Sequence, residues 1–82
     1  GYANFNYSLA NPGKVTVKIF NIMGELIWEE SRNETSGDNK VYTWYCDNQS
    51  RTKIASGVYI YRIIVEENSR KYITTKKILI IQ

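Results

Sequence analysis

The sequence predicts an all-β domain, an antiparallel sandwich of about seven short strands that spans residues 1–82. Segments in which apolar and polar residues alternate recur about every ten residues, which is typical of immunoglobulin-like β-sandwiches. The composition agrees, because seven Tyr, two Trp and two Phe suit a pleated sheet, and no apolar repeat at helical spacing is long enough for a helix. The length of the chain indicates a single domain.

The first half of the chain contains four predicted strands, at residues 3–9, 14–20, 25–30 and 40–46. Pro12 and Gly13 predict a turn after the first strand, in which Gly13 is free to adopt a positive φ. Gly24 predicts a tight connection that needs the left-handed conformation. The polar segment 31–39 is interpreted as a surface loop.

The second half begins with a polar loop at residues 47–53 and centres on the strand 58–65, which has the clearest period-two pattern of the chain. Tyr59 opens this strand where immunoglobulin-like folds often place a tyrosine whose hydroxyl bonds to the backbone. We therefore expect Tyr59 to be buried with its hydroxyl bonded. A hairpin loop at 66–70 leads to the last strand, 71–81, whose edge is the one best suited to an edge-strand dimer.

The only cysteine is Cys46, and the chain has no histidine. These counts exclude an internal disulfide, a His-based catalytic triad and a zinc site of the common Cys/His kinds within this chain. Cys46 is interpreted as a small buried residue on a strand, because no imidazole can activate its thiol. The pattern leaves open whether its face, shared with Tyr42 and Trp44, is the buried one. Asp47 is the only carboxylate of its loop, so neither a metal site nor a cofactor is predicted.

Charge is unevenly spread along the chain. Residues 1–50 hold four Lys/Arg against six Asp/Glu, net −2, and residues 51–82 hold seven against two, net +5. We interpret the C-terminal lysines as solvated faces and edge guards of strands, and no nucleic-acid partner is expected because no recognition motif accompanies them. No apolar run reaches the length of about 18 residues that predicts a transmembrane segment. If the protein is exported, its signal peptide is expected upstream of residue 1.

Three blocks of the sequence resemble one family. Residues 13–25, GKVTVKIFNIMGE, resemble the pattern GKVTLKVYDILGRE, and residues 55–63, ASGVYIYRI, resemble ASGVYFYRL. The ending at residues 76–82, KKILIIQ, resembles a closing strand KKLVLLK. On these residues the chain resembles the C-terminal sorting domain of the type IX (Por) secretion system, which is similar in turn to the immunoglobulin-like domain of the flagellar hook-capping protein.

The sequence departs from the family pattern in the loop after the fourth strand. Trp44 is followed by Tyr45 and Cys46 where the family usually continues with Asp-Gly, and Arg51 stands where the family carries a second Gly. These differences leave the shape of the loop open.

The resemblance implies a non-catalytic domain at the C-terminus of a larger secreted protein. Such domains are covalently linked to an upstream cargo domain, and an outer-membrane secretion and attachment machinery carries them through the periplasm to the surface of a Gram-negative bacterium. The native protein is then expected to end at or near Gln82. Carried over to this chain, the recognition residues implied are Gly57, Tyr59, Lys76, Lys77, Ile78 and Ile80.

Two further hypotheses about function are compatible with the same fold. The domain could be an immunoglobulin-like spacer or accessory module of a multidomain surface protein or polysaccharide-degrading enzyme. It could also bind carbohydrate by stacking sugars on exposed rings, for which the candidates are Trp28, Trp44, Tyr45 and Tyr72. An enzyme is not expected, because the adjacent acids Glu29-Glu30 and Glu66-Glu67 would point to opposite faces of a strand.

Overall fold

The computed structural model describes all of residues 1–82 and contains six β-strands. They are Ala3–Leu9 (β1), Gly13–Asn21 (β2), Leu26–Glu34 (β3), Gly37–Trp44 (β4), Gly57–Glu67 (β5) and Arg70–Ile80 (β6). A large sheet has the strand order β3-β2-β5-β6, and a small sheet consists of β1 and β4. All neighbouring strands are antiparallel. The predicted all-β, immunoglobulin-like sandwich is confirmed, with six strands rather than about seven. No helix able to span a membrane is found.

The core lies between the two sheets and is rich in aromatic rings. Residues of β1 alternate strictly between buried and exposed, so that one face of the strand packs inward. The ring of Phe5 on β1 lies 4.4 Å from that of Tyr61 on β5, measured between centroids. Trp44 on β4 meets Tyr59 on β5 edge to face at 6.3 Å. Large rings therefore bridge the sheets, and burying each side chain of this size contributes about 1.5–3 kcal/mol.

The segment 31–39 was expected to be a loop, and this prediction is wrong. β3 continues to Glu34 because its polar end pairs with the start of β2, and the hydroxyl oxygens of Thr16 and Ser31 lie 2.9 Å apart in a cross-strand hydrogen bond. β4 already begins at Gly37. Pairing with β2 thus outweighs the low β-propensity of the segment, as often happens in sheets.

The inward face of β4 carries Tyr42 and Trp44, which settles the alternative that the pattern left open. Cys46 is buried as predicted, but it does not lie on a strand, because its φ of 57° ends β4 at Trp44. Tyr59 is 8% exposed, and its hydroxyl donates to the carbonyl oxygen of Ala55 at 2.7 Å. The expectation that Tyr59 is buried with a bonded hydroxyl is confirmed.

Two glycines serve different purposes. Gly24 has a φ of 86°, so the prediction of a left-handed connection is confirmed. Gly13 does not have a positive φ, and the reason predicted for it is wrong. A Cβ atom at this position would lie 2.2 Å from the carbonyl oxygen of Glu66 on β5. Gly13 is required because the backbones of two strands approach each other closely there.

We predict that Gly13→Ala destabilises the domain by about 1–3 kcal/mol, the usual cost of forcing an extra methyl group into a packed site. The free energy of unfolding, measured by urea denaturation, checks this. Gly57→Ala is the matched control, since a Cβ atom there would meet only the ring of Tyr59, at 3.9 Å, and the φ of Gly57 is not positive. Equal stability of the two variants would contradict the close approach at Gly13.

Candidate recognition surface

β6 is an edge strand with both of its faces largely uncovered. It pairs with β5 alone, from the pair Gly57 and Ile80 to the pair Glu67 and Arg70. All residues from position 70 to position 77 are exposed, including half of Tyr72. The small sheet does not reach over this part of the strand. β6 is therefore the most accessible long segment of the large sheet.

The charge of β6 has one sign. The strand contains Arg70, Lys71, Lys76 and Lys77, and it contains no acidic residue. Lys76 pairs with Tyr61 and Lys77 with Ile60, so the two lysines point to opposite faces of the sheet. Neither lysine takes part in a salt bridge. Both faces of this edge thus present an uncompensated positive charge to a partner.

The end of β6 is fixed to the loop between β4 and β5. Ile80 is buried, and the backbone N–H of Gln82 donates to Ser56 Oγ at 2.8 Å. The side-chain amide of Gln82 donates to the carbonyl oxygens of Cys46 and Ile54, both at 3.1 Å. Sequence reasoning missed this role of Gln82, because a terminal polar residue gives no pattern from which its partners can be read.

The structure brings four of the six implied recognition residues together. Gly57 pairs with Ile80, and Tyr59 pairs with Ile78, so the two apolar pairs are neighbours at one end of the β5–β6 ladder. Tyr59 and Ile80 are buried, Gly57 and Ile78 are partly exposed, and only Lys76 and Lys77 are fully on the surface.

The four rings considered for glycan stacking do not form a platform. Trp28 and Trp44 are 8% and 1% exposed, and their indole N–H groups donate inside the domain, so neither ring is available as a stacking surface for the carbohydrate-binding alternative. Such large rings bury more apolar area than other side chains, so a small domain places them in its core. Tyr45 and Tyr72 are exposed, but they lie near opposite ends of β6. Tyr45 lies beside Cys46 near the end of the strand, and Tyr72 lies near its start.

The loop that departs from the family pattern keeps a glycine-like backbone. Arg51, which stands where the family has Gly, has a φ of 64°. The side-chain oxygen of Asn48 accepts hydrogen bonds from the backbone N–H groups of Ser50 and Thr52, each at 3.0 Å. The guanidinium of Arg51 lies 5.5 Å from the Trp28 ring centroid. Local hydrogen bonds hold the backbone in a conformation that is unusual for Arg.

A polar cluster closes the side of the core opposite to β6. The hydroxyls of Tyr7 and Tyr42 donate to Glu34 and Glu30, two acids on the inward face of β3. Burial first, and then the bond to Glu34, raises the pKa of Tyr7 to about 12. Burial and the bond to Glu30 raise the pKa of Tyr42 as well. Burial also raises the pKa of the Cys46 thiol, which keeps it in its unreactive protonated form.

Comparison with solved structures agrees with this fold. The crystal structure of dimeric latent PorU from Porphyromonas gingivalis matches with a TM-score of 0.77 and 21% sequence identity, over 95% of this chain and 8% of that one. The chain therefore spans only a small part of the length of PorU, and the likeness shows an immunoglobulin-like sandwich domain and nothing more. No curated protein matches the chain significantly.

The family of this domain follows from its sequence. The family model of the CHU_C Type IX secretion signal domain matches residues 4–81, nearly the whole chain. The chain belongs to this family. It is accordingly a C-terminal sorting domain for type IX secretion, whose destination is the cell surface or the exterior, and its partner is the secretion machinery. Domains of this family are typically non-catalytic.

We predict that the free energy of unfolding falls as the pH rises from about 10 to about 12. An unfolded tyrosine ionises near pH 10, whereas Tyr7 keeps its proton until about pH 12, so the folded state binds more protons in this window and loses stability through it. Tyr7→Phe should make this fall shallower in urea denaturation followed by circular dichroism. Tyr45→Phe, at an exposed site, is the control and should follow the parent curve. An unchanged slope in Tyr7→Phe would contradict the assignment.

Proposed function

We propose that this chain is the C-terminal sorting and surface-anchoring domain of a larger secreted protein, and that the outer-membrane machinery recognises it through β6. The observation that carries the proposal is the pair of exposed, unpaired lysines Lys76 and Lys77 on this uncovered edge strand, which contains no acidic residue. Its other two basic residues, Arg70 and Lys71, lie opposite Glu67 and Glu66 of β5. Complementary charge speeds encounter and suppresses wrong partners. The recognising surface of the machinery is then acidic, and the domain itself performs no catalysis.

The six implied recognition residues divide by exposure. Lys76 and Lys77 contact the machinery directly, because their side chains are exposed and unpaired. Tyr59 and Ile80 are buried, and their contribution is to hold β6 in place. Ile78 packs against the core and supports the same part of the strand.

Gly57 has a distinct position among the six. Neither its φ nor the space around it requires a glycine, since a Cβ atom would meet only the Tyr59 ring at 3.9 Å. The fold thus gives no reason for Gly57, and its proposed role is a direct approach of the machinery to the β5 backbone.

The position of the chain ends supports accessibility of β6 in a cargo fusion. A Cβ atom built on Gly1 would lie 3.7 Å from Oε1 of Gln82, so the chain begins beside the place where it ends. A cargo domain attached at Gly1 lies at that end of the sandwich, whereas the hairpin between β5 and β6 lies at the other. Most of β6 therefore extends away from the end of the sandwich at which the cargo is attached.

An edge-strand dimer along β6 stays a prediction. In an antiparallel pair centred on Thr75 of both copies, Lys76 lies opposite Thr74 and Lys77 opposite Ile73, so no like charges face each other directly. The free edge permits such a pair, and sedimentation equilibrium of the domain measures it.

The sorting proposal is tested with a fluorescent reporter that carries residues 1–82 at its C-terminus, in a bacterium with a type IX machinery. We expect surface display of the parent fusion. The double variant Lys76→Glu/Lys77→Glu should lose display by about tenfold, equivalent to about 1.4 kcal/mol of recognition free energy. The control Lys14→Glu/Lys53→Glu makes the same change in net charge at two exposed sites outside β6 and should be displayed normally. Because Lys14 lies opposite Glu66 and Lys53 donates to the carbonyl oxygen of Tyr45, urea denaturation first establishes that this control is folded.

Gly57→Ala is tested in the same system. Because its stability should equal that of the parent domain, lost display would identify a contact with the machinery rather than a folding defect.

Equal loss of display in both lysine double variants would show that overall charge, not β6, is recognised. A reporter that remains in the periplasm even with the parent domain contradicts the sorting role of this chain.

A further inference from the structure

The inward face of β6 is left uncovered because the small sheet is narrower than the large one. Two strands lie over four, and neighbouring strands are about 4.7–4.9 Å apart. Tyr72, Thr74 and Lys76 share the face of the buried residues Ile63 and Val65 and yet are exposed. The position of one further strand in the small sheet, beside β1 and over β6, is vacant.

A groove of about 240 Å³ occupies this position. Residues 6–8 of β1 form one wall, and Tyr72, Thr74 and Lys76 of β6 form the other. Tyr61 and Ile63 of β5 contribute the apolar floor. The groove therefore combines a strand edge with an apolar surface, as β-strand addition sites do.

The edge of β1 that faces the groove is free. β1 makes backbone hydrogen bonds with β4 only, so every second residue directs its N–H and C=O groups away from the sheet. The strand contains no charged residue and no proline, the usual devices that block edge pairing.

The other edges are better protected. On β3, the N–H of Glu29 donates to the side chain of Gln49 at 2.9 Å, and the N–H of Gln49 donates to the carbonyl oxygen of Ile27 at 3.1 Å. β6 carries lysines, and β4 carries Asp38 and Lys40. β1 is the edge that lacks both cover and charge.

We propose that the groove between β1 and β6 is a strand-acceptor site, which binds an extended segment of a partner protein by adding it to β1. The inward side chains of this segment are apolar where they meet Tyr61 and Ile63, and acidic beside Lys76. The acidic residue follows from charge complementarity, because Lys76 is the only charged residue that lines the groove. With seven residues in β1, the segment pairs over at most that length.

This site goes beyond the sorting function and does not rest on it. It depends on the free backbone edge of β1 and on the inward face of β6, and either could serve a partner of the domain in any context. It also gives Lys76 and Lys77 different roles, because only Lys76 faces the groove.

The probe is a synthetic nine-residue peptide in which valine alternates with threonine and one valine is replaced by glutamate. Binding to the isotope-labelled chain is followed by NMR titration. We expect shifts at the amides of β1 and loss of binding when alternate peptide amides are N-methylated, because methylation removes the backbone donors. Lys76→Glu should weaken binding about tenfold, equivalent to about 1.4 kcal/mol, and should favour a peptide with lysine in place of glutamate.

Lys77→Glu is the matched control, with the same change of charge one residue away on the other face, and it should bind the glutamate peptide like the parent. No binding at millimolar peptide overturns the proposal. Equal weakening by both substitutions does the same, because it shows unspecific attraction, and so does binding that survives N-methylation. If the chain instead self-associates in sedimentation equilibrium, and Lys76→Glu abolishes this while Lys77→Glu does not, the occupant of the groove is a second copy and the partner assignment is wrong.

Discussion

The packing of this domain depends on two strands covering the inner face of four. The small sheet lies over β2 and β5, and the most deeply buried large side chains lie between the two sheets: Val17 and Ile19 on β2, and Tyr42 and Trp44 on β4. The outer strands β3 and β6 receive only partial cover. A small domain has little area to bury, so the treatment of these two margins determines much of its stability and its accessible surface.

The two margins are treated differently. At β3, carboxylates replace apolar residues on the inward face, and the hydroxyls of Tyr7 and Tyr42 bond to them, so the rings are buried while the charges stay near water. Hydrogen bonds to charged groups are stronger than neutral ones, and no buried side-chain polar atom lacks a partner. At β6, nothing closes the margin, and the inward side chains remain open. The stabilising hydrogen bonds therefore lie on the β3 side of the core, and the accessible inward face lies on the β6 side.

Much of this architecture was predictable from local pattern. Strict alternation identified β1, and the block around Tyr59 identified both the central strand and the bonded hydroxyl. The end of β3 was missed because Ser31 to Glu34 form a strand only through pairing with β2, which local sequence does not encode. The count of about seven strands came from the usual spacing in an immunoglobulin-like sandwich, whereas the segments with an alternating pattern number six and correspond to the six strands of the structure.

The candidate site was predictable only in part. The resemblance to the family implied Lys76 and Lys77, and both are exposed. It could not show that the side chains of the two adjacent lysines lie on opposite faces of the sheet, or that Trp28 and Trp44 are buried in the core. Nor could it show that Gly13 is needed because its backbone lies close to that of Glu66. These facts depend on contacts between residues far apart in the chain.

The neighbouring ends of the chain determine how the domain responds to tension. β1 and β6 belong to different sheets and share no ladder of hydrogen bonds, although Gly1 and Gln82 lie side by side. A pull between the two ends separates the sheets from that side, and it detaches contacts one after another rather than shearing a whole ladder at once.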